Sequence, residues 1–94
     1  MKIHSLKTIQ PYFGQVKSGL KTAELRKNDR DFKVGDWLLL QDFNMAFAYA
    51  IGEGVETVGL YTGDFVLVEI TDVCQYPDAL KEGWVMLSFK RMEG

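Results

Sequence analysis

Lys21, Glu24 and Arg26 are the residues whose types and spacing best suit chemistry. They fall in Lys21-Thr22-Ala23-Glu24-Leu25-Arg26, a run that alternates in polarity and therefore reads as a strand. Side chains two apart share a strand face, so Thr22, Glu24 and Arg26 are expected on one side, with Ala23 and Leu25 facing inward. The acid and the guanidinium then stand roughly 7 Å apart along the chain. Upstream, Ile9, Phe13, Val16 and Leu20 recur at helical spacing, with Pro11 suited to a first helical position and Gly19 to a left-handed terminator. A helix of about ten residues ending beside the strand leaves a groove that Lys21 joins. Such a groove offers donors to a phosphate and a carboxylate to a base amine, and an arginine can stack on an unpaired base. The plain alternative is a surface Glu–Arg pair worth at most ~1 kcal/mol.

Further candidates surround that groove. His4 and Lys7 lie on the opening strand, where His4 can bond a base or phosphate or act as a general base. The chain has one histidine and one cysteine, so neither a histidine pair nor a thiolate cage for a metal is available, and no metal or cofactor is expected. Lys27 and Arg30 belong to a charged turn and can steer an anion, while Asp29 and Asp31 are expected to order that turn by accepting backbone N–H bonds. Tyr61 and Trp84 lie near glycines at strand starts and are candidates for base stacking. Phe13, Phe32, Trp37 and Phe89 read as core, and Cys74 as a quiet strand residue.

The elements that position these residues follow from periodicity. Strands are expected at 4–8, 22–26, 37–40, 65–73 and 83–90, with turns at 27–31 and at Val34-Gly35-Asp36. In the fourth, Val66, Val68, Ile70 and Asp72 share one face. Residues 44–63 stand apart. Met45, Phe47, Tyr49 and Ile51 alternate with alanines before a glycine-rich stretch, which reads as a flexible or hairpin insertion, a flap or an oligomer contact. The sum is one α+β domain, 1–94, of five to six mixed strands curled into a small β-barrel with one main helix capping an end.

Composition bounds the function. With 94 residues, 47% hydrophobic and 26% charged, the chain is neither a disordered tail nor two domains. Its longest apolar run is far short of the ~20 residues of a membrane span, and the start lacks a secretory pattern, so a cytoplasmic protein with no membrane partner is expected. Residues 1–33 hold eight Lys and Arg against three acids, whereas residues 34–94 hold three against ten, within a net charge of −2. The basic third suits phosphates or carboxylates, and the overall acidity disfavours non-specific duplex binding.

The residues His4-x-Leu6-Lys7, Ser18-Gly19-x-Lys21-Thr22-x-Glu24-x-Arg26-Lys27-Asn28-Asp29-Arg30-Asp31-Phe32 and Val34-Gly35-Asp36 resemble the activating signal cointegrator homology (ASCH) superfamily. Tyr61-Thr62-Gly63 and Leu80-Lys81-Glu82-Gly83-Trp84-Val85 extend the likeness to nearly the whole chain outside 44–59, and it is nearest to a short bacterial and phage family of unassigned function. The resemblance implies a fold similar to the pseudouridine synthase and archaeosine transglycosylase (PUA) barrel and a binding role toward RNA. The basic residue usual after Tyr-Thr-Gly is replaced here by Asp64.

Three functions are therefore expected in order. The first is a module binding single-stranded RNA or a nucleotide through His4, Lys7, Lys21, Glu24, Arg26, Lys27, Arg30, Tyr61 and Trp84. The second is a small hydrolase of a modified nucleoside, with Lys21 and Glu24 as the working pair. Some ASCH relatives resemble amidohydrolases that use Lys, Thr and Glu, but Glu24 stands where their working threonine would be, which disfavours the same chemistry. The third is a protein-interaction module or homodimer through Met45, Phe47, Tyr49 and Ile51.

Overall fold

The computed structural model describes residues 1–44 and 60–92. Five strands and one helix appear in the order β1 (Ile3–Thr8), α1 (Tyr12–Lys17), β2 (Ala23–Lys27), β3 (Trp37–Asn44), β4 (Leu60–Cys74) and β5 (Trp84–Arg91). The strands form a single mixed sheet in the order β1-β3-β4-β5-β2. β1 runs parallel to β3, from Ile3 opposite Trp37 to Thr8 opposite Asp42, and the remaining pairs are antiparallel. A parallel pair needs a crossover, and α1 and β2 lie within it. The consequence is that β1 and β2 become the two free edges of a sheet curled into a half-barrel.

Alternation builds the core. His4, Leu6 and Thr8 of β1 turn inward while Ile3, Ser5 and Lys7 turn out. Leu38 and Leu40 of β3, Val66, Val68 and Ile70 of β4, and Val85, Leu87 and Phe89 of β5 meet them. Phe13 and Val16 of α1 and Phe32 of the loop between β2 and β3 complete the cluster. Removing such side chains from water, at about 25 cal/mol per Å² of apolar surface, is the main term holding a short helix to the sheet.

Two expectations are corrected. The helix spans six residues rather than about ten: Gly19, at φ +86°, ends it before Leu20, whose side chain is 84% exposed instead of joining the stripe. The parity of β2 is reversed, because Glu24 is buried and Leu25 is 52% exposed. Glu24 and Arg26 stand opposite Leu87 and Val85, whose side chains point into the half-barrel. On an edge strand beside an open gap, the inward face need not be apolar if the polar groups on it find partners. At the ends of the 44–63 segment Asn44 pairs with Leu60, and residues 60–63 belong to β4. Residues 45–59, including Met45, Phe47, Tyr49 and Ile51, lie outside the described residues.

Candidate functional site

Two arginines bridge the gap between the free edges. From β2, Arg26 donates through Nε to Glu24 Oε2 at 3.0 Å, and through Nη2 to the Lys7 carbonyl at 3.1 Å and Thr8 Oγ1 at 3.3 Å. From the loop after β2, Arg30 Nη1 donates to the Ser5 carbonyl at 2.9 Å. An edge strand leaves main-chain oxygens without a ladder partner, and these side chains take the place of the missing strand. Planar, always charged and forked, arginine can hold several acceptors at once. Glu24 is needed for this geometry, because its carboxylate balances the partly buried guanidinium and fixes its orientation.

Over this seam lies a cleft of about 830 Å³. Five cations line it, Lys7, Lys21, Arg26, Lys27 and Arg30, against two acids, Glu24 and Asp29. Aromatic rings form much of the remaining wall: Tyr12 beside the helix start, Phe43 near the end of β3, Phe32 at the back and Trp84 at one rim. Two lysines are placed by these rings. Lys7 Nζ stands 4.6 Å from the centroid of Phe43, and Lys21 Nζ stands 5.7 Å from that of Tyr12. Attraction to a ring face holds each ammonium against the wall without neutralising it, so both remain available to an anion. Glu24 Oε1 makes no hydrogen bond among the described residues, yet no buried side-chain oxygen there lacks a partner, so this oxygen is reached by solvent.

The candidate residues divide between this cleft and other places. Lys7, Lys21, Glu24, Arg26, Lys27, Arg30 and Trp84 come together in it. His4 does not, which corrects its expected place in the groove. It is buried, its Nε2 stands 2.9 Å from Asp36 Oδ2, and its ring meets Phe32 edge-on at 4.8 Å. Asp36 also accepts from the amides of Lys2 and Lys33. Burial works to raise the Asp36 carboxyl, but the His4 bond, with the two amides and the nearby imidazole charge, outweighs it and holds the group below the usual aspartate range. His4 and Asp36 thus fasten the start of β1 to the turn before β3. Tyr61 packs edge-on against Phe43 at 5.2 Å and does not line the cleft.

Other details differ from the sequence reading. Asn28, not Asp29 or Asp31, bonds the charged turn, with its Oδ1 accepting from the Phe32 amide at 3.4 Å. Asp31 instead adopts φ +49° and stands 3.7 Å from Lys33 Nζ. Asp64, which replaces the expected base, accepts from Lys17 at 2.6 Å and ties β4 to α1. That bond lowers the Asp64 carboxyl, with burial opposing and the Phe65 amide assisting. Sequence reading missed Tyr12 and Phe43 as cleft residues. Phe43 is buried beside Lys7 and Tyr61 rather than in the core cluster, next to a register shift between β3 and β4, and alternation alone does not signal such a place. Cys74 is half-buried at the end of β4. No three of the described His, Cys, Asp and Glu residues are grouped to hold a metal ion, and no described helix is long and apolar enough to cross a membrane.

Fold and cleft together define a small mixed-β half-barrel with a cationic, aromatic-walled opening at its unpaired edges. The chain matches the family described as "Domain of unknown function (DUF3850)" over residues 3–89 and belongs to that family. It is 37% identical over 86 residues to an "Uncharacterized 12.9 kDa protein in GpA 3'region" of Escherichia phage P2. The match covers 92% of this chain and 66% of that relative, just under two thirds of its length.

Proposed function

We propose that the protein binds single-stranded RNA or a nucleotide in the cleft over the β1–β2 seam. The observation that carries this reading is the local charge: five cations face two acids in the cleft, on a chain whose net charge is −2. Lys7 and Lys21 supply phosphate contacts, and the rings of Tyr12, Phe43 and Trp84 offer apolar surface in the same cleft. Arg26 and Arg30 contribute field rather than free donor forks, because each already serves a β1 carbonyl. Glu24 Oε1 can accept from a base amine. A PUA-like barrel within the ASCH superfamily is in keeping with the mixed five-stranded sheet and its one short helix.

Binding is favoured over hydrolysis by the engagement of Glu24, the base a hydrolase would use, whose carboxylate is bonded to Arg26. The test is fluorescence anisotropy of a labelled RNA oligomer at low salt, with unlabelled mononucleotide as competitor. Saturable binding that either ligand reverses supports the proposal, and no binding of either at low salt overturns it.

A further inference from the structure

A second cleft, of about 560 Å³, opens beyond the rim of the first, and Trp84 lines both. Trp84 is half-buried at the start of β5, directly opposite Lys27 of β2, and its amide donates to the Lys81 carbonyl at 2.9 Å. Lys27 borders the first cleft and Lys81 the second, so each of the two clefts that Trp84 lines carries a cation close to it in strand pairing or sequence. The second cleft also presents amides. Asn28 uses its Oδ1 on Phe32, which leaves its NH2 group without a partner among the described residues, and the Gln75 side chain makes no hydrogen bond there either. Glu82 offsets the charge of Lys81, so this cleft adds stacking surface and hydrogen-bonding groups rather than net positive potential.

We propose that the two clefts form one track crossing Trp84, and that the ligand is a single strand of several nucleotides rather than a free nucleotide. This rests on the nucleic-acid reading of the first cleft and specifies it. A lone nucleotide occupies one hollow, because a cavity of about 300–1,000 Å³ suits one small molecule. A strand places one base on the indole face, carries its backbone past Lys27 and Lys81, and offers the next base edge to Asn28 and Gln75. None of these groups is required by the bonds that close the seam.

The experiment compares a uridine mononucleotide with oligouridylates of increasing length as competitors for a labelled RNA, using the full chain. The wild-type protein is expected to prefer the longer oligomers by about tenfold, the effect of one additional stacked base with its contacts. The exposed substitutions Lys81→Ala and Gln75→Ala together are expected to remove that gain while leaving mononucleotide affinity unchanged, and Lys21→Ala to weaken both. Equal affinity for mononucleotide and oligomers overturns the track but leaves nucleotide binding standing. A length gain that survives the double substitution also overturns it. No binding of any of these ligands overturns the track and the nucleic-acid reading together.

Discussion

Arg26 reaches from one free edge of the sheet to the other and donates to the Lys7 carbonyl at 3.1 Å. The same guanidinium holds the buried Glu24 carboxylate, so one side chain closes the half-barrel and neutralises the acid inside it. Replacing Arg26 by Ala strands a carboxylate with little access to water and frees two acceptors on β1. The expected loss is about 2–3 kcal/mol, below the full cost of a broken buried pair because Arg26 is itself 26% exposed. Arg26→Lys is expected to recover only part of it, since a point charge cannot span the same acceptors. Urea unfolding measures both, and a loss under about 0.5 kcal/mol for Arg26→Ala contradicts a closing role.

Among the described residues Arg30 makes one side-chain hydrogen bond, 2.9 Å to the Ser5 carbonyl, from an exposed position. Arg30→Ala is expected to cost about 0.5–1.5 kcal/mol by the same measurement, clearly less than Arg26→Ala.

The reversed parity of β2 gives a direct contrast. Leu25→Gln is expected to change stability by no more than about 0.5 kcal/mol, because the side chain already faces solvent. Leu87→Ala, opposite Glu24 and fully buried, is expected to cost about 2–5 kcal/mol. Comparable losses at the two sites contradict the observed facing of the strand.

Much of this arrangement is legible in the sequence, and its failures have a common cause. Alternation in β4 places Val66, Val68 and Ile70 on one face, as found, because that face is sealed by the core. The Gly19 turn is equally legible, since its left-handed backbone is one that glycine adopts readily. In β2 the same logic fails: the inward face opens onto the seam, where polar side chains find backbone acceptors that no local pattern reveals. His4 is misread for a similar reason. Its partner Asp36 is 32 residues away, and Val-Gly-Asp reads only as a turn until the parallel pairing of β1 with β3 brings the two together. The grouping of Lys7, Lys21 and Lys27 in one cleft is a product of strand order, which a single sequence constrains weakly.

Acid should loosen the molecule at the His4–Asp36 contact. The Asp36 carboxyl is lowered in the folded protein, so the stabilisation it carries is present above the unfolded aspartate value, about 4, and is lost as pH falls through the lower folded value. Thermal unfolding is expected to show wild-type stability declining below about pH 4. Asp36→Asn should start less stable at neutral pH and decline less steeply over the same range. Asp64 titrates in the same sense, but its exposed bond to Lys17 is open to screening by salt, so Asp64→Asn is expected to leave that decline nearly unchanged. Parallel declines for the wild type and Asp36→Asn contradict this assignment.

The central claim is that the lysines of the seam cleft grip phosphates. It is tested most directly by the salt dependence of binding to a fluorescent single-stranded RNA oligomer, for the wild type and for Lys21→Ala. Each phosphate neutralised on a single strand contributes about 0.7 to the logarithmic salt slope. The account predicts measurable binding at low salt, a slope reduced by about 0.7 in Lys21→Ala, and an unchanged unfolding midpoint for that variant. Binding whose strength and salt slope are the same with and without the Lys21 ammonium would contradict it.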